Sequence, residues 1–70
     1  MILKIENLLI NSRTDFDCCD DNGNKYRVDL ITDGSLPMKF VLEPKKIIGK
    51  TVEVDRLTTY LSIAHEIKII

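Results

Sequence analysis

Residues Thr14 to Ile31, TDFDCCDDNGNKYRVDLI, decide the fold. Phe16 and Cys18 alternate with Asp15, Asp17 and Cys19 ahead of an Asp-Asn-Gly turn; Tyr26, Val28 and Leu30 alternate with Lys25, Arg27 and Asp29 beyond it. Period-two alternation on both sides of turn residues marks a half-buried β-hairpin. The loop length follows from which residues must share a face. Directly opposed residues in an antiparallel pair lie on one side of the sheet, and a one-residue slip turns one strand over. A two-residue Asn22-Gly23 loop sets Phe16 against Asp29 and Cys18 against Arg27, mixing apolar with charged. A three-residue loop, Asp21-Asn22-Gly23, sets Phe16 against Val28 and Cys18 against Tyr26, with Asp17 opposite Arg27 on the wet face. The odd loop is preferred, with Gly23 in the left-handed position where the missing Cβ removes a clash. Its cost is Asp15 opposite Asp29, a like-charge pair worth about a few tenths of a kcal/mol.

Working outward, Ile2 to Ile10 reads as a strand with Leu3 and Ile5 on one face and Lys4 and Glu6 on the other. Leu8-Leu9-Ile10 is apolar on both sides. A bulge near Asn7 would reset the phase and bend the strand; the alternative is that this half is covered on both faces. A helix is disfavoured here by the absence of an N-cap and the frequent β-branched residues. Asn11-Ser12-Arg13 is a polar break, and Thr32 to Ser35 is a second turn. Pro37 opens a strand, Met38 to Leu42, with Met38, Phe40 and Leu42 on one face; Glu43-Pro44-Lys45-Lys46 ends it. Ile47-Ile48-Gly49 forms one helical turn or an irregular corner. Lys50 to Leu57 is the next strand, with Val52 and Val54 inward and Thr51, Glu53 and Asp55 outward. Tyr60, Leu61 and Ile63 are expected to plug one end of a barrel. His65 to Ile70 is the last strand, with Ile67 and Ile69 on one face and its end tied into the sheet.

The 70 residues make a single domain, 1–70. A chain this short buries only about 60% of the surface its unfolded form exposes. With 44% hydrophobic residues and few aromatics, the core is expected to be aliphatic. Ten Lys or Arg against eleven Asp or Glu give a net charge of −1, which argues against strong non-specific binding to nucleic acid. Cys18 and Cys19 are adjacent, so they point to opposite faces of a strand and form no ordinary disulfide with each other. That points to a reducing, cytoplasmic setting. MILKIENLLI lacks the order of a signal peptide, and no run approaches the ~20 apolar residues of a membrane span.

The expected fold is all-β: a small five- to six-stranded antiparallel barrel with little or no helix. Closure answers the edge-strand problem at this size. A long strand, a hairpin, a VEV strand led by Gly49 and a closing strand resemble an oligonucleotide/oligosaccharide-binding (OB) barrel. The resemblance implies a helix between the third and fourth strands, here reduced to about Glu43 to Ile48. An SH3-like barrel fits nearly as well. The resemblance carries no specific motif and implies architecture alone.

The chemistry-bearing residues are sparse. The acidic hairpin invites a calcium reading, but counting back from Gly23 puts Cys18 at the first ligand position and Asp29 at the twelfth, between strands and not helices. It reads as a solvated hairpin tip. Two adjacent cysteines and one histidine are too few for a tetrahedral zinc site within one chain, so no metal or other cofactor is expected. His65 has no partner that the sequence brings within reach, Cys19 and Glu66 included, and an enzyme is the least favoured class. Gly23, Gly34 and Gly49 are isolated, so there is no phosphate loop. Lys45, Lys46, Lys50 and Arg56 form the one basic cluster, with Tyr60 as a candidate stacking ring; Glu43, Glu53 and Asp55 lie among them. Leu9, Ile31, Val41 and Ile70 are surplus to a one-sided core and suggest self-association, a protein partner or extra coverage of the barrel. The expected function is a non-enzymatic binding module that engages a protein or itself through strand edges and exposed aliphatics. The alternative is a single-stranded nucleic-acid-binding barrel that uses the Lys45/Lys46/Lys50 patch.

Overall fold

A computed structural model describes residues 1–60 and 62–70. It is mostly β. Strands β1 (Ile2–Leu8), β2 (Asp15–Cys19), β3 (Lys25–Asp29), β4 (Thr51–Glu53) and β7 (Lys68–Ile69) form one antiparallel sheet in the order β3-β2-β1-β4-β7. Strands β5 (Arg56–Leu57) and β6 (Ala64–His65) form a separate two-stranded ribbon. Helix α1 (Met38–Leu42) and a 3₁₀ turn (Pro44–Ile47) connect β3 to β4.

The hairpin has the odd loop. Phe16 pairs with Val28, Cys18 with Tyr26, and Asp17 with Arg27. The Asp20 N–H donates to Asn24 O across the neck, and Gly23 has φ +80°. Phe16, Cys18 and Val28 are fully buried, as their shared face requires. Asp15 does stand opposite Asp29, but the two carboxylates turn away to different donors. Asp15 meets the Ser12 hydroxyl, and Asp29 accepts the N–H groups of Ile31 and Thr32.

The bulge in β1 falls between Ile5 and Asn7. Ile5 pairs with Cys18 and Leu8 pairs with Phe16. Three positions apart on a regular strand, Ile5 and Leu8 would face opposite sides. The extra residue, Glu6, lets both face the core.

Three elements differ from the sequence expectation. Met38 to Leu42 is a helix, not a strand. In a helix, residues two apart lie on nearly opposite sides, so the apolar period of two splits. Phe40 is 2% exposed, whereas Met38 and Leu42 are 66% and 67% exposed. Pro37 suits either structure, because its missing N–H is harmless just ahead of a helix. Next, the expected strand Lys50 to Leu57 breaks after Glu53, although Val52 and Val54 are both fully buried as expected. Finally, the expected strand His65 to Ile70 breaks at Glu66, whose φ is +53°. The two oxygens of Asp33 accept from Ser35 and from the Glu66 N–H, at 2.8 Å each, while the Ser35 hydroxyl accepts the Ile67 N–H. These bonds hold the corner and put Ile67 inside, while Ile69 is exposed. The chain end is tied in by Ile70 N–H to Thr51 O at 2.9 Å.

Sheet and ribbon do not close into a barrel among the described residues. One parallel bridge, Asp29 with Ile63, joins β3 to the segment before β6, through Asp29 N–H to Ser62 O. Tyr60 is no plug; it is 79% exposed. Ile63 is half-buried, Ala64 fills the interior instead, and Leu61 lies outside the described residues.

Candidate functional site

The β1–β2 turn and the far end of α1 meet in space. Ser12 shapes the turn: its hydroxyl accepts the N–H groups of Thr14 and Asp15 at 3.1 and 3.0 Å. Asn11 takes the left-handed φ of +63° that asparagine tolerates. This geometry sends Arg13 to the helix, where its Nη2 donates to Leu42 O at 3.0 Å. The bond supplies a partner for one of the carbonyls that a helix end leaves open.

A groove of about 310 Å³ lies beneath this bond, lined by Leu8, Arg13, Leu42, Glu43, Pro44 and Lys45. Its floor is apolar. Leu8 packs on the core, Pro44 is buried, and Leu42 stands out beside them. Ile10, on the same turn as Arg13, is 87% exposed. Glu43 is engaged by Lys46 at 3.2 Å. Arg13 and Lys45 have no carboxylate partner among the described residues, so the rim is cationic.

Two other grooves differ in character. One, of about 430 Å³, lies against β1, β2 and β3 and includes Glu6, Asp17, Lys25, Tyr26 and Arg27. Its charges are paired internally: Lys25 with Glu6 at 2.9 Å and Arg27 with Asp17 at 3.1 Å. The other, of about 320 Å³, is lined by Met1, Glu53, Val54, Asp55, Glu66 and Lys68 and is predominantly acidic.

The residues expected to form a basic patch fall into two groups. Lys45 and Lys46 lie on the 3₁₀ turn, and Lys50 follows it, its N–H donating to Ile47 O. Lys45 lines the apolar groove. Arg56 sits on β5 and pairs with Asp55 at 3.3 Å; Tyr60 lies in the turn between β5 and β6. No described contact brings Arg56 or Tyr60 to the lysines. Sequence reasoning named Lys45 but missed Arg13 and placed Leu42 on one strand face with Met38 and Phe40. The apolar stretch at Leu8-Leu9-Ile10 was the available signal.

The remaining candidates serve the fold. Burial, with the nearby Asp17 charge second, pushes the Cys18 thiol up to about 12, leaving it protonated and inert. Cys19 is half-buried on β2, between Lys4 and Lys25. His65 meets the Thr58 hydroxyl within the ribbon. Asp20 closes the hairpin loop. The Asn24 amide donates to it at 3.0 Å, the Tyr26 hydroxyl at 3.1 Å and the Asn22 N–H at 2.9 Å. These bonds, Asn24's foremost, hold its carboxyl below the usual range. Around Asp33, partial burial works to raise the carboxyl, but the bonds from Ser35 and the Glu66 N–H outweigh it and lower it.

No helix among the described residues is long and apolar enough to cross a membrane. Comparison with protein-family models, with curated proteins and with solved structures finds no match to this chain.

Proposed function

We propose that this chain is a non-enzymatic binding module on an OB-like small barrel, and that it engages a protein, either a partner or a second copy. The strand pairing among the described residues leaves the sheet open, and three features support a partly open barrel of this kind. β1 lies between β2 and β4, a helical segment stands between β3 and β4, and the parallel bridge at Asp29 brings the last part of the chain towards β3. One observation carries the binding reading: the exposed Leu42 lines a concave surface together with the half-buried Leu8 and with Pro44. Single exposed apolar side chains are ordinary, but an apolar floor in a groove is where binding surfaces form. Ile10, Met38 and Leu42 stand on two elements that the Arg13–Leu42 bond joins.

The sheet edges rank second. Antiparallel alternation points the N–H and C=O of Lys25 and Arg27 outward from β3, but charged side chains there discourage strand addition. The β7 edge is only two residues long. A nucleic-acid reading of Lys45, Lys46 and Lys50 has less support, since aliphatic side chains, not rings, accompany them, and stacking needs a ring.

Sedimentation equilibrium over a wide concentration range, paired with selection of displayed random peptides on the immobilised chain, tests the proposal. The expected outcome is reversible self-association or a set of enriched peptides. A chain that stays monomeric and enriches no peptide overturns it, the more so if it binds single-stranded oligonucleotides in a salt-dependent way.

A further inference from the structure

On the reading that this chain binds proteins, we infer that the groove between the β1–β2 turn and α1 receives a protein segment with an apolar anchor flanked by carboxylates. The floor of Leu8, Leu42 and Pro44 offers apolar surface for one or two anchor side chains. Its volume of about 310 Å³ stands at the lower end of the roughly 300–1,000 Å³ of small-molecule pockets, so it suits a side chain better than a bulky cofactor.

The rim sets the charge of the partner. Arg13 spends one N–H on Leu42 O and keeps its other donors for a ligand. Lys45 stands across the groove from the β1–β2 turn, on the 3₁₀ turn. Among the described lining residues the one acid, Glu43, is offset by Lys46. Two cations without a carboxylate partner among the described residues, over an apolar floor, complement a segment in which Asp or Glu brackets a Leu, Ile or Phe. A second copy fits less well. Its acidic groove carries Glu53, Asp55 and Glu66 but also Lys68 and the Met1 ammonium, and among the described residues Met1 is the only exposed apolar side chain that lines it.

The test uses the intact chain and three synthetic peptides of equal length and leucine content. Their remaining positions are glutamate, serine or lysine. Fluorescence anisotropy should give the glutamate peptide about tenfold tighter binding than the serine peptide, and the lysine peptide the weakest. Amide shifts in a ¹⁵N-labelled sample should concentrate at Leu8, Arg13, Leu42 and Lys45. The double variant Arg13→Glu, Lys45→Glu should reverse the order of the charged peptides. Both side chains are exposed, and an unchanged spectrum away from the groove verifies the fold. Equal affinities, no binding by any of the three, or shifts confined to the β3 or β7 edge overturn the inference. The last result would leave the protein-binding reading standing, and peptide enrichment or self-association by the chain would do so independently.

Discussion

Phe16→Ala should cost about 3–5 kcal/mol, the usual price of emptying a fully buried aromatic site. A domain of this length has only about 5 kcal/mol of global stability, so the variant should be largely unfolded at room temperature. Phe16 is fully buried and stands between Leu8 on β1 and Val28 on β3. It therefore joins the three longest strands at one point. Phe16→Leu should retain the fold at a cost of about 1–1.5 kcal/mol, because it keeps most of the volume. Urea titration followed by circular dichroism measures both. A loss below about 1 kcal/mol for the alanine variant would place Phe16 outside the core.

Asp29→Ala should be the most damaging change at a polar residue, at about 2–4 kcal/mol. Asp29 is 8% exposed, and one oxygen accepts the N–H groups of Ile31 and Thr32, both at 2.9 Å. The other accepts the Thr32 hydroxyl. Alanine removes the acceptor that these part-buried bonds share just where β3 turns towards α1. Relief of the like charge opposite Asp15 returns only about a few tenths of a kcal/mol. Asp29→Asn should recover a good part of the loss, since an amide oxygen can still accept both N–H groups. Chemical denaturation of the two variants checks this. Equal losses for alanine and asparagine would mean that the carboxylate does not act through those bonds.

The hairpin was legible because four apolar side chains, Phe16, Cys18, Tyr26 and Val28, constrain one register. The bulge was legible because Leu8 breaks the phase that Leu3 and Ile5 set. Met38 to Leu42 misled because five residues are too few to separate a period of two from a helix with one buried residue. The polar clasps were invisible for a different reason. Asp29, Asp33 and Ser35 bond to backbone groups, and such bonds leave no periodic trace. The Asp-x-x-Thr spacing at Asp29 was the available sign, being typical of side chains that satisfy nearby backbone donors. The groove was legible only in part. Lys45 belongs to a visible run of lysines, whereas Arg13 and Leu42 are 29 residues apart and meet only through the tertiary fold.

Cross-strand proton contacts in the hairpin test the central claim, since its register decides which side chains form the core and, through Leu8, the groove floor. The Asp20–Asn24 bond makes Asp17–Arg27 and Asp15–Asp29 the non-hydrogen-bonded pairs, whose Cα atoms approach to about 4.5 Å. Strong nuclear Overhauser effects should therefore join the Hα protons of Asp17 and Arg27, and those of Asp15 and Asp29. Strong effects joining Cys18 to Arg27 and Phe16 to Asp29 instead would turn one strand over and contradict the account.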